Sequence, residues 1–359
     1  MAAMMLLFTS VAISGARRTA SSLAGAAGPA VWRSSTAMVA LPSEPASVAA
    51  PAVRRSSTAM VALPSEPASV EDEMMHLQRL SDGGSEIATR MLEARITWME
   101  GERARKTGDC RQGTRLFAHA LCLALRDGDP FSGYWQTSSS RVHPLADYHA
   151  CAEAAIASDG SSEVLSDARV LQALAYLTQR QFSEAFDAVS DAIHAEPDNP
   201  YSYLLRTLIE GNLNMWLQAE ADCTLAISLL ASEPIFTYWR AIARRNMLQA
   251  WPRLEPHRSP AFMVASAAVI QDLESFVART PLGSRRCSEA LYEIAIIAFT
   301  ILLSSEQTGA AKKRIVSIVV AACERARAAD ARRPEVFAGV RDSDAKRMVE
   351  MLYNATILA

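Results

Sequence analysis

The middle of this chain recurs every 34 residues, and that recurrence limits the folds open to it more than any other feature. Phe182, Ala185 and Ala192 are each followed 34 residues later by Trp216, Ala219 and Ala226, and Arg206-Thr207 is followed by Arg240-Ala241. Thirty-four residues is the length of one helix–turn–helix unit in a stacked array, where no unit buries its apolar face alone and each needs neighbours. Composition supports such an array. Half of the 359 residues are hydrophobic, and only 16 are proline and 15 glycine, so helix is favoured and core material is ample.

Within one period, Ala173, Tyr176, Ala185, Ala192 and Pro197 fall where a helical pair needs small residues, an aromatic filler, small residues again and a terminator. Small side chains let antiparallel helices approach, and proline ends the second helix. This pattern resembles the tetratricopeptide repeat (TPR) family. The resemblance covers about 90–330 and is clearest over 166–245. It implies an all-α fold, a right-handed superhelical solenoid of antiparallel helix pairs over 73–359. Upstream, Gly101, Gly113, Phe117 and Ala120 hold signature positions around a Gly108-Asp109 turn. A variant unit follows, with Thr137–Pro144 as loop and a helix over 147–157. Downstream, Thr237–Met247 opens a further unit that the three prolines of 250–263 interrupt, with a second helix expected at 265–278. Helices at 288–304 and 310–329 and a capping helix at 342–358 complete the expectation, Ile294–Leu303 being a buried solenoid helix too short to span a bilayer.

Residues 1–72 read differently, as a disordered presequence. No acidic residue precedes Glu44, while Arg17, Arg18 and Arg33 stand among many Ala, Ser and Thr. That composition points to a mitochondrial transit peptide. The apolar run Met4–Ile13 leaves a secretory signal open as the alternative, although no basic residue precedes it. Residues 29–50 recur almost unchanged at 51–72, and each copy carries Arg-Ser-Ser, at Arg33 and at Arg55, where matrix processing could cut. The six cysteines form no CxxC pair, so free thiols in a reducing compartment are expected. A cytoplasmic location is a further alternative.

The chain carries 36 basic and 39 acidic residues; residues 1–70 hold five basic and two acidic ones, leaving 71–359 with 31 basic and 37 acidic residues, a net of −6. A nucleic-acid coat is excluded on that balance. No GxxxxGK[ST], GxGxxG, GxSxG or HExxH occurs, so phosphate-cradling, nucleophile-elbow and zinc-protease chemistries have no sequence support. The expectation is a non-enzyme with no cofactor and no metal.

The resemblance implies a groove lined by the first helix of each unit. Its lining would be Trp98 in the first unit, Val170, Leu174 and Leu177 in the next clear one, then Tyr201, Leu204 and Leu208, and finally Tyr238, Ile242 and Arg245. Glu102, Arg105 and Lys106 would add a basic end. Such a groove suits an amphipathic or extended segment of a partner protein. Trp98 and Glu102 replace the Lys and Asn that chaperone-binding members use to grip a C-terminal carboxylate, so those tails are not expected partners. The expected function is a non-catalytic adaptor of a mitochondrial complex. The alternatives are an RNA-associated organellar protein, through Arg240, Arg244, Arg245, Arg253 and Arg258, and a secreted or lumenal repeat protein.

Overall fold

The computed structural model describes residues 70–127, 145–250, 260–304 and 309–331. The presequence up to residue 69, the 137–144 loop and the 342–358 capping helix fall outside the described residues. Among those described there are twelve helices and no strand: α1 (Val70–Asp82), α2 (Glu86–Lys106), α3 (Cys110–Asp127), α4 (Leu145–Ser158), α5 (Ser162–Thr178), α6 (Phe182–Ala195), α7 (Pro200–Asn212), α8 (Trp216–Leu229), α9 (Ile235–Ala250), α10 (Pro260–Arg279), α11 (Arg285–Ser304) and α12 (Ala310–Ala331). Each helix packs chiefly on the helices before and after it in sequence, as in a TPR-like array of antiparallel pairs.

The 34-residue period appears in the backbone itself. Within the pairs, Arg180 (φ 61°) and Asn214 (φ 60°) are left-handed residues one period apart. Each lies two residues past a helix end, and the next N–H reaches back five residues, Gln181 to Tyr176 O and Met215 to Glu210 O, both at 2.9 Å. Gly84 and Gly108 occupy the same place in the α1–α2 and α2–α3 turns, with Ser85 N bonding Leu80 O and Asp109 N bonding Ala104 O. One turn chemistry, a left-handed cap that returns the chain antiparallel, is therefore used four times.

Packing explains the small residues. Ala173, Ala185 and Ala192 have no exposed surface, and neither do their successors Ala219, Ala226 and Ala241. In the first pair a Cβ on Gly101 would lie 2.8 Å from the Phe117 ring, and one on Gly113 would lie 3.3 Å from the Gly101 carbonyl. A side chain at Gly101 would displace the Phe117 ring, and one at Gly113 would press on the Gly101 carbonyl, so glycine suits this close crossing. Pro197 lies just past α6, and its carbonyl accepts the Tyr203 hydroxyl at 3.0 Å.

A repeated clasp measures the interruption in the period. Arg206 grips Asp222 through two hydrogen bonds of 2.6 and 2.8 Å, and Arg240 grips Asp272 through two of 3.0 and 2.7 Å. The acceptor lies 16 residues after the first arginine and 32 after the second, so 16 residues are added between α9 and α10. Helix α10 opens at Pro260, five residues before the expected Ala265, because proline suits a first helical position. Helix α10 is the described helix long and apolar enough to cross a bilayer. Its Asp272, however, is buried and accepts from Arg240 and from Arg244, which places it in the array. Ile294–Leu303 lies in α11, where Ile294, Ala295 and Ala298 are buried as expected.

Candidate functional site

The first helix of each clear pair, α5, α7 and α9, presents the expected groove positions once per period. The structure separates those positions into two sets. Trp98, Val170, Leu177, Leu204, Leu208 and Tyr238 are buried. Trp98 joins Phe117, Tyr148 and Leu171 in a core cluster, its ring centroid 4.6 Å from that of Phe117 and 5.6 Å from that of Tyr148. Tyr238 packs on Phe276 at 5.0 Å, and its hydroxyl donates to Glu289 at 3.2 Å. These six act as packing residues, because side chains this large fill the space between neighbouring helices rather than facing water. The aromatic anchors expected at Trp98 and Tyr238 are thus core. Leu174, Tyr201, Ile242 and Arg245 keep partial exposure, with Trp239 and Asn246 beside the last two.

The expected basic end is neutralised within the chain. Arg105 donates to Glu102 at 3.1 Å and to Asp147 at 3.3 Å. Arg245 pairs with Glu293 of α11, its Nε at 3.0 Å from Oε2. Arg244 donates to Glu220 at 2.6 Å and to Asp272 at 2.8 Å, and Arg240 also serves Asp272. The stretch proposed to meet RNA phosphates therefore has its three described arginines occupied by carboxylates; Arg253 and Arg258 lie outside the described residues. Glu220, Asp272 and Glu293 stand 24 to 48 residues from their arginines, beyond any local spacing rule. The recurrence of Arg206 at Arg240 was the one legible signal of them.

Two carboxyls on the first helices, buried Glu210 and half-buried Asp167, are held above the usual carboxylate range. Burial, reinforced by Asp222 and opposed by Arg206, pushes Glu210 up to about 8. Burial, reinforced by Glu196 and Glu163, pushes Asp167 up to about 7. Asp167 borders a cleft of about 210 Å³ between the start of α3 and the start of α5, together with Asp109, Arg111, Arg115 and Glu163. Mixed charges line this cleft, and Arg111 is spent on Asp159 at 2.9 Å.

Among the described residues no three His, Cys, Asp or Glu side chains gather in a way that could hold a metal ion. His149 stacks edge-on against Tyr176 at 4.5 Å, and burial lowers its pKa. All six cysteines are free thiols. Burial pushes Cys122, Cys151 and Cys223 up to about 12, the opposite of what a nucleophile needs. The chemistry this face can offer is apolar contact, at Leu174, Ile242 and the Trp239 indole; the Tyr201 hydroxyl donates to Glu233, and the Asn246 amide is bonded to the Ile242 carbonyl and to Arg245.

No protein-family model matches the chain, and no curated protein matches it. Among solved structures it is similar to the MamA protein, at 11% identity over 70% of this chain and 96% of that one, with a TM-score of 0.38. It is similar to YrrB, described as a TPR protein with an unusual peptide-binding site, at 14% identity over 62% and 96%, with a TM-score of 0.37. The C-terminal part of a TPR repeat-containing protein from Cytophaga hutchinsonii is 10% identical over 76% and 95%, with a TM-score of 0.36. The chain's own turns, small-residue crossings and 34-residue clasps establish a TPR-like helical-repeat fold.

Proposed function

We propose that this protein is a non-catalytic scaffold that binds a segment of a partner protein along the first helices of α5, α7 and α9. The observation that carries this reading is the repeat geometry itself, which leaves half-exposed apolar side chains, Leu174 on α5 and Trp239 and Ile242 on α9, along one row of first helices. An extended or helical segment with matching periodicity can engage such a row. Arg206, Arg240, Arg244 and Arg245 and the hydroxyls of Tyr201 and Tyr238 are already bonded to internal carboxylates, so the row favours an apolar segment over an anionic one. That pairing also weighs against the RNA-associated alternative.

The finer reading places the scaffold in a mitochondrial complex, and the acid-poor, arginine- and serine-containing N-terminal sequence supports it. The test is gentle purification through a C-terminal tag from fractionated cells. A mature N-terminus just after Arg33 or Arg55, with a fixed set of mitochondrial proteins attached, is expected. An uncut N-terminus would reject the mitochondrial part. RNA retained through moderate salt in place of protein partners would reject the scaffold part.

A further inference from the structure

Helices α6, α8, α10 and α12 are the second members of successive pairs and form a row of their own in the antiparallel array. Charged side chains tie neighbours in this row together. Arg244 reaches Glu220 of α8 at 2.6 Å and Asp272 of α10 at 2.8 Å, and Arg325 of α12 donates to Glu274 of α10 at 3.0 Å.

What the row shows to solvent changes along its length. Helix α6 exposes Glu184, Asp187 and Asp191. One period later the same places hold Gln218, Ala221 and Leu225 on α8, whose exposed residues include no charge. Leu217, Leu225 and Leu229 are 69%, 49% and 40% exposed and lie on successive turns with Ala221. Helix α10 continues the change. Val264 is 71% exposed, and the exposed residues of α10 are uncharged up to Arg279, which is bonded to the Ala231 carbonyl and the Thr237 hydroxyl. Helix α12 then opens with exposed Lys312, Lys313 and Arg314. The row reads acidic, neutral, neutral, basic. Monomers rarely leave a contiguous apolar patch of this kind uncovered.

That order is self-complementary. A second copy turned by half a turn about an axis running along the helices, between α8 and α10, lays its α10 on α8 and its α12 on α6. Apolar surface then meets apolar surface in the middle, and carboxylates meet ammonium and guanidinium groups at both edges. Glu184 and Asp187 lie in the first turns of α6, as Lys312 to Arg314 do in α12, and this rotation preserves helix direction, so the charged ends coincide. A partner of another sequence requires no such order; a two-fold contact does, because the patch must match itself. The size also suits. Helices of 14 and 20 residues span about 21 and 30 Å. Four helices side by side at about 10 Å offer on the order of 800 Å², one partner's share of a standard interface.

We infer that the face formed by α6, α8, α10 and α12 docks a second copy of this chain, closing a two-fold dimer over the leucines of α8 and Val264, with Glu184 and Asp187 set against the basic start of the other copy's α12. The row of first helices is not part of this contact, so self-association and partner binding are separate readouts.

The test is sedimentation velocity of the full chain over a concentration series. A dimer that dissociates on dilution and dominates by about 100 µM is expected. Leu225→Glu sets a charge in the apolar middle and should weaken self-association about tenfold or more at an unchanged thermal midpoint. Chains with α12 reversed (Lys312→Glu, Lys313→Glu, Arg314→Glu) and chains with α6 reversed (Glu184→Lys, Asp187→Lys) should each lose about tenfold or more, because like charges then face each other at both edges. Mixed one to one, the two reversed chains should pair with each other as tightly as the wild type pairs with itself, since acid again meets base at both edges. A chain that stays monomeric up to about 100 µM overturns the inference, even if the face then captures another protein or a lipid vesicle. A dimer that Leu225→Glu leaves intact, or reversed chains that fail to pair when mixed, overturns it as well.

Discussion

At the scale of single residues, the fold tolerates a few positions at visible cost. Glu210 is 2% exposed, and its Oε2 has no hydrogen-bond partner. Its folded pKa of about 8 lies above the ordinary 4.5, so the contribution of this group to stability is full below 4.5 and is lost as pH climbs towards 8. Glu210→Gln removes that loss. The variant's thermal midpoint should match wild type near pH 4.5 and exceed it by a widening margin up to about pH 8; equal midpoints at both ends would contradict the assignment. Arg180 is a second such position. Its left-handed backbone brings the Cβ close to a carbonyl oxygen, so Arg180→Gly should raise stability by about 0.5 kcal/mol in urea titration. Asn214→Gly should gain less, since asparagine tolerates the same conformation. Gly101 shows the converse: its absent Cβ is the space Phe117 occupies. Gly101→Ala should cost about 1–3 kcal/mol by overpacking.

At the scale of elements, the helices owe their pairing to two kinds of contact of very different strength. Asp272 is buried and serves Arg240 and Arg244 together, so Asp272→Asn leaves Arg240 without its carboxylate and Arg244 with Glu220 alone. A loss of about 2 kcal/mol is expected, below the full value for a buried pair because both arginines keep some water. The Arg325–Glu274 pair has a similar distance of 3.0 Å but is more than 40% exposed on both sides. Arg325→Ala should change stability by less than about 0.5 kcal/mol. Equal effects from the two substitutions would contradict the ranking. The repeat over 166–245 was legible because Ala173, Ala185, Ala192 and their successors recur with a fixed period. The clasp partners were not, because an arginine's carboxylate lies wherever the next helix crosses, and the 16 residues added before α10 moved Asp272 out of phase. Helix α1 was also missed, since its first residues lie in the duplicated 51–72 segment, whose Pro and Ser mask it.

At the scale of the whole molecule, the repeat was readable and the binding face was not. Tyr238 and Trp98 have the residue type of surface anchors, yet both are core, because periodicity places a residue on a helix face without saying how closely the next helix lies. Of the expected set, Leu174, Tyr201, Ile242 and Arg245 keep partial exposure. The central claim is that this row holds a partner protein. It is tested most directly by comparing proteins that co-purify with the tagged wild type and with Ile242→Glu, a half-exposed position where a charge should spoil an apolar contact without unfolding the array. The prediction is a reproducible set of partners lost from Ile242→Glu at an unchanged thermal midpoint. The same partners retained in full by the variant, or none reproducibly bound by the wild type, would contradict it.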